Sequence, residues 1–259
     1  VIIPAMEAAP AHADRPIWRT VLALALPAMA QQYLLVLVRL SDQYLADNFP
    51  VADPADRKTY LAALNTAGYL YWFVSSYTVV VSVGATALVS RFVGARDFAL
   101  AHRVTGQAVV LGAALGLVGT LAALLGLPHL VAALQLSGNA AAAAVEFLTP
   151  LAVLLAFQIT ESACIACLAG AGDTRTGLKV LGLVAVLNLP LAWGLCFGVG
   201  PWGGLGFVGI ALGTGLSHVV GCVVLLVILA RGRSGLKLAR HEMRPDFGLI
   251  RRLLRVSVP

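Results

Sequence analysis

The sequence predicts an all-α membrane protein built as a six-transmembrane-helix bundle. Three observations predict it. Of the 259 residues, 59% are hydrophobic and 12% are charged, and the mean hydropathy is +0.89; an ordinary soluble domain carries about 25% charged residues. Apolar stretches of the ~20 residues that a helix needs to cross a bilayer recur along the chain. The breaks between those stretches alternate between basic and non-basic. Lipid leaves backbone N–H and C=O groups without partners, so a spanning segment is a helix or part of a closed barrel. Barrel strands alternate polar and apolar residues, which residues 21–26 and 111–127 do not.

The length criterion places the spans near residues 20–46, 61–92, 102–127, 140–169, 176–198 and 205–230. Arg15 and Arg19 precede the first. Asp47, Asp53, Asp56, Arg57 and Lys58 make the next break net acidic. Arg91, Arg96, Asp97 and Arg103 make the following one basic. Residues 128–139 carry no formal charge, Asp173, Arg175 and Lys179 make a basic break, and residues 198–204 are neutral. Arg231, Arg233, Lys237, Arg240, Arg244, Arg251, Arg252 and Arg255 crowd the end. Lys and Arg resist translocation, so basic breaks stay in the cytoplasm. One orientation satisfies every break, with both termini cytoplasmic. The expected organisation is a disordered tail over 1–17, a six-helix transmembrane lobe over 18–230, and a basic cytoplasmic linker over 231–259 that begins a second lobe.

The net charge of +6 sits in these short breaks rather than on one soluble face, which argues for topology and against nucleic-acid binding. Cys164, Cys167, Cys196 and Cys222 all fall in apolar segments. Cys164 and Cys167 have the spacing of a redox or metal pair, but no second pair or nearby His completes a site, so they read as small core residues. Residues before Ile17 have no basic region followed by an apolar core and a cleavage site, so no signal peptide is expected. The chain starts at Val1 and stops at Pro259 after a basic amphipathic stretch, which reads as a fragment.

Two internal echoes stand out. Val93-Gly94-Ala95-Arg96-Asp97 follows the second span, and Ala169-Gly170-Ala171-Gly172-Asp173 follows the fourth. In each, Gly is expected to end one helix in the left-handed conformation and Asp to cap the next. Gly170 and Gly172 do not make a dinucleotide fingerprint, because they follow a helix and the third glycine is misplaced. The second echo joins the ends: 19–27 and 251–259 share an Arg, an apolar run and a terminal Pro. A second six-helix unit would begin there, since parallel repeats are a recurring transporter plan.

Several stretches together carry a family resemblance. Pro27 precedes Asp42 in the first span. Residues 84–97 end in Gly-Ala-Arg-Asp, and Gln107 follows. Residues 170–177 read Gly-Ala-Gly-Asp-Thr-Arg-Thr-Gly and lead to Asn188. Residues 209–214 read Gly-Ile-Ala-Leu-Gly-Thr. From Trp18 onward the chain resembles the multidrug and toxic compound extrusion (MATE) family. The resemblance implies an N-lobe of a two-lobe, twelve-helix transporter in the bacterial inner membrane. It implies alternation between outward- and inward-open states, and export of organic cations or other amphiphiles driven by inward H+ or Na+. The partners it implies are such a small-molecule substrate, the lipid bilayer and the missing C-terminal lobe; no cofactor beyond the coupling ion is expected. A lipid-linked-oligosaccharide flippase of the same broad fold, or an inactive truncated fragment, is the alternative. An enzyme is not expected, for no His-Glu-x-x-His or clustered metal ligands occur.

An ionisable group at membrane depth is a functional candidate. Asp42 occupies the position where the family places its key N-lobe carboxylate, after the helix-bending Pro27. On the residues alone, Asp42 either exchanges a cation or is neutralised by Arg39, one turn earlier, which would then tune or disable it. Glu161 lies mid-span, ~18 Å at helical rise before the next basic turn, and suits either a proton carrier or a hydrogen-bonded structural role. Glu146, nearer the other end, is expected to be solvated. Asn188 and Thr214 match polar positions that the family uses with the first-helix Asp around a cation. Where the family often has a second Asp, this chain has Ala192, which favours H+ over Na+. Gly209, Gly213, Ser217 and Gly221 form a small-residue ladder for packing within the lobe. His218, between its rungs, reads as a lone packing histidine. Tyr69, Tyr71, Trp72, Phe73 and Tyr77 are read as packing, with a cation-attracting wall as the alternative.

Overall fold

The first span folds as one long helix, α1 (Ile17–Asp47), with Pro27 inside it. Pro27 has no N–H to return to the carbonyl of Ala23, so one rung of the ladder is lost there. Membrane helices tolerate this because neighbouring groups compensate, and Pro128, Pro150 and Pro190 sit inside helices as well. The computed structural model describes residues 16–48, 61, 64–65, 68–69, 72, 76, 78–133, 138–201, 203–232 and 235–257. Residues 1–15 of the tail expected over 1–17, residues 53–58 of the second break, Tyr71, Phe73, Tyr77, Arg233 and the terminal Pro259 lie outside them.

Five further spans follow: α2 (Thr78–Gly94), α3 (Phe98–Ala133), α4 (Gly138–Gly170), α5 (Thr174–Phe197) and α6 (Phe207–Ala230). Leu61, Leu64, Asn65, Gly68, Tyr69, Trp72 and Ser76 are helical too, ahead of α2. Among the described residues, α1, α3, α4, α5 and α6 are each long and apolar enough to cross a membrane, and α2 is a shorter apolar helix. The third span was expected to stop at Leu127; α3 instead runs through Pro128 to Ala133. A proline this close to a helix end forfeits one bond, to a carbonyl at the exposed Leu124, without breaking the last turn.

The two echoed turns have the same geometry. Asp97 N–H donates to the carbonyl of Phe92 at 2.9 Å, and Asp173 N–H to that of Leu168 at 2.8 Å. Asp97 Oδ1 then accepts from the Leu100 amide at 3.1 Å, and Asp173 Oδ1 from the Thr176 amide at 3.0 Å, capping α3 and α5. The left-handed residue is not the shared Gly94 or Gly170. It is the residue two further on: Gly172 at φ 86° in one copy and Arg96 at φ 59° in the other. Gly170 serves packing instead, since a Cβ there would lie 2.7 Å from the carbonyl oxygen of Thr86 on α2.

α4 is central, packed on α2, α3 and α6, while α5 joins α6 to α1. A cluster including Val89, Leu168 and Leu229 fills the end of the bundle that carries the two turns, the basic end. A second, including Leu45, Phe147 and Ile210, fills the opposite end. Between them lies a layer of buried polar groups: Asp42, Glu161, Asn188, Thr214 and His218. Gly209 and Gly213 let α6 approach the α5 backbone at Leu195 and Ala192 so closely that no Cβ fits. The ladder therefore packs within the lobe, as expected.

After α6 the chain returns along the basic end through a 3-10 turn (Arg240–Met243) to α7 (Phe247–Ser257). Leu253 of α7 is buried against α2, where a Cβ on Gly84 would lie 2.6 Å from its carbonyl oxygen. The buried Gln107 amide of α3 ties this linker down. Its Nε2 donates to the carbonyls of Glu242 and Arg244, both at 2.8 Å, and its Oε1 accepts from the Asp246 amide at 2.8 Å. Arg103 and Asp246 add an exposed ion pair at 3.0 Å, worth at most ~1 kcal/mol.

Candidate functional site

Three of the residues singled out in the sequence meet in the buried polar layer. Asp42 lies on the face of α1 that also presents Gln31, Val38 and Leu45, the positions of that helix buried against its neighbours. Asn188 comes from α5 and Thr214 from α6. Thr214 Oγ1 donates to Asp42 Oδ2 at 2.7 Å. Asn188 Nδ2 donates to Thr214 Oγ1 at 2.9 Å and reaches Asp42 Oδ1 at 3.4 Å. A carboxylate separated by 146 residues from one donor and 172 from the other thus pins three helices at one point. These polar contacts are made among buried groups, where an unpaired polar atom is costly.

The cluster can be rearranged. The Thr214 hydroxyl has a second acceptor, the Ile210 carbonyl at 3.2 Å. Asn188 Oδ1 is buried with no hydrogen-bond partner among the described residues, so it offers an acceptor to any donor that arrives. A carboxylate that became a carboxylic acid would present an O–H where it now presents a lone pair, and both neighbours have somewhere to turn. Arg39 lies one turn from Asp42 and lines the same cavity. Among the described residues, Asn188 and Thr214 donate hydrogen bonds to the Asp42 carboxylate.

That cavity, of about 400 Å³, opens between α1, α4, α6 and the helical residues ahead of α2. Arg39, Asp42, Gln158, Ser162, Thr214 and His218 are among its polar lining residues, and Leu35, Phe147 and Leu151 among its apolar ones. Gln158 and Ser162 were missed in the sequence. Their signal was present, because residues 158, 161 and 162 share one face of α4 by helical spacing.

Glu161 stands apart from the Asp42 cluster. It is buried in α4, and its Oε2 is 2.7 Å from His218 Nδ1 on α6. His218 is therefore not the lone packing histidine expected; it is the partner of Glu161. Nothing local could reveal a pairing across 57 residues. Gln31 was also overlooked. Its Nε2 donates to the Thr174 carbonyl at 2.8 Å, fastening α1 to the first turn of α5. Glu146 is exposed. Tyr69 and Trp72 are exposed at 74% and 65% and line no part of the cavity.

A family model described as MatE matches residues 27–193, which include Pro27, Asp42, Glu161 and Asn188. The chain is 27% identical over 239 residues to the probable multidrug resistance protein NorM of Thermotoga maritima, covering 91% of this chain and 49% of that one. It spans about half the length of the curated relatives it matches. In structure it is similar to a MOP superfamily transporter from Pyrococcus furiosus, reported with a binding pocket of reverse polarity. The TM-score is 0.82 at 22% identity, over 93% of this chain and 51% of that one. It is also similar to a multidrug resistance MATE family transporter in its outward-facing conformation, with a TM-score of 0.81 at 23% identity, over 93% and 51% of the two chains.

Proposed function

Because the chain belongs to the MatE family, we propose that it forms one lobe of a secondary antiporter that exports cationic or amphiphilic small molecules in exchange for inward protons. The lobe works with a second lobe of the same protein, in the bacterial inner membrane. The basic turns and both termini face the cytoplasm, and Asp42 lies toward the outer side. The observation that carries this reading is the buried Asp42 carboxylate, joined to α5 and α6 by rearrangeable partners and open to a cavity.

The coupling follows from that chemistry. Ionised Asp42 accepts from Thr214 and Asn188, which ties α1 to the body of the lobe. A proton bound at Oδ2 removes the acceptor that the Thr214 hydroxyl uses. The hydroxyl then turns to Ile210, and the new O–H finds Asn188 Oδ1 or Thr214 Oγ1. The attachment of α1 changes, and Pro27, with its missing rung, is where the helix bends. Arg39 lines the same wall and tunes the exchange. H+ suits this site better than Na+ because Ala192 supplies no second carboxylate. Transport that needs Na+ at fixed pH and ignores a proton gradient would overturn that choice. A flippase for anionic lipid-linked substrates would want a basic cavity; among the described lining residues the permanent cation is Arg39, offset by Asp42.

The test is uptake of a fluorescent organic cation into everted vesicles carrying the complete protein, compared with Asp42→Asn. The amide cannot exchange a proton. Loss of pH-gradient-driven transport by tenfold or more, ~1.4 kcal/mol or more of the barrier, is expected. Unchanged transport by Asp42→Asn overturns the proposal.

A further inference from the structure

We propose that Glu161 and His218 form a second proton-binding site in this lobe, separate from the Asp42 cluster and loaded from the cavity through the His218 ring. The two side chains are nearly inaccessible, with 2% and 6% of each residue exposed. They meet at 2.7 Å through Glu161 Oε2 and His218 Nδ1. Glu161 itself does not line the cavity, whereas His218 does. The ring thus stands between the carboxyl and the open space, with Nδ1 on the carboxyl side.

The pair is not built as a structural ion pair. A buried carboxylate kept for stability has its lone pairs satisfied. Among the described residues Glu161 Oε1 is buried with no hydrogen-bond partner, although Oε2 is bonded. What faces Oε1 is the Gly221 backbone, at a spacing that excludes any Cβ, and the Val184 methyl that bounds the same space. The fourth rung of the small-residue ladder therefore makes room for this carboxyl, while Gly209 and Gly213 serve helix contact. A carboxyl bonded at one oxygen and bare at the other suits a group that alternates between anion and acid.

The charged and titratable groups around the pair come from each packed element. Asp42 and Arg39 of α1 face His218 across the cavity. Cys164 of α4 and Cys222 of α6 lie beside Glu161, and α5 contributes Val184. No permanent cation from these neighbours touches the carboxyl, so His218 is its one switchable counter-charge among the described residues. The proton balance is simple. A proton enters at His218 Nε2 from cavity water, and the Nδ1 proton passes to Glu161 Oε2. The pair goes from carboxylate with neutral imidazole to carboxylic acid with neutral imidazole, gaining one proton. His218 lies one turn along α6 from Thr214, so the two sites share a cavity wall without sharing a hydrogen bond.

Infrared difference spectra of the purified complete protein across an acid-to-alkaline pH step test this, read in the carboxylic-acid stretching region. Glu161→Gln, which keeps size and hydrogen-bonding ability, should abolish one band. His218→Gln should shift that same band, and Asp42→Asn should abolish a different one. The last arm separates this site from the coupling proposal, whose failure would leave the Glu161 band untouched. A spectrum unchanged by Glu161→Gln overturns the proposal. So does a Glu161 band that His218→Gln leaves unshifted. Should Glu161→Gln fail to fold, imidazole 15N spectra of the wild type, assigned with His218→Gln, decide instead. A His218 ring that keeps one protonation pattern across the whole step overturns the site, and one that changes supports it.

Discussion

α1 and α6 are both apolar spans of one lobe, yet they are fixed in opposite ways. In the most apolar 18-residue stretch of α1, 11% is buried, against 50% in α6. α6 is seated by backbone-to-backbone contact, with Gly209 and Gly213 against Leu195 and Ala192. α1 is fastened at separated points by polar groups, Gln31 to Thr174 and Asp42 to Asn188 and Thr214. Close packing is gained or lost over the whole seam, because glycine contacts leave no slack. A polar contact can be remade with another partner when one proton moves. The difference teaches that α1, which carries the candidate coupling residue, is held by polar contacts that have other partners within reach, while α6 is held by its backbone.

The comparison can be broken most forcefully at the seam. Gly213→Leu places a side chain where the α5 backbone already lies, and should destabilise the lobe by ~3 kcal/mol. Thermal unfolding in detergent would show this as a lower Tm, and an unchanged Tm would mean that α6 is not rigidly seated. Gln31→Leu removes one fastening of α1 and should cost ~1 kcal/mol, in line with hydrogen bonds inside membranes. Its informative readout is local: amide exchange should quicken in α1 and stay unchanged over residues 209–222. Equal quickening in both helices would erase the distinction. Gly182→Ala, in a stretch of α5 where a Cβ meets nothing within 4 Å, should raise stability by ~0.5–1 kcal/mol through helix propensity. A loss there would reveal a contact to α5 that the present packing does not contain.

Much of the fold was legible because bilayer physics is severe. Spans of ~20 apolar residues and basic breaks can be read locally, since each depends on the segment itself. The boundaries that slipped did so where a proline did not stop a helix, at Pro128, or where the turn's left-handed residue was Arg96 rather than Gly94. In the candidate site, Asp42, Asn188 and Thr214 were visible through the family resemblance, and the structure brings them together. Glu161 was visible as a lone carboxyl, but its partner was not. Gln31 escaped notice, and Gln107 was noted without its partners, because an uncharged amide in an apolar run gives no signal of what it reaches.

The sequence by itself determined a six-span bundle, its basic breaks, the capped turns at Asp97 and Asp173, and the rarity of ionisable groups at depth. These are local consequences of hydrophobicity and charge. The tertiary structure decided which buried polar groups meet: Asp42 with Asn188 and Thr214, Glu161 with His218, Gln31 with the Thr174 carbonyl. A hydrogen bond at 2.7 Å depends on the crossing and rotation of two whole helices. Those are set by the summed packing of every residue along the seam, which no single stretch of sequence contains.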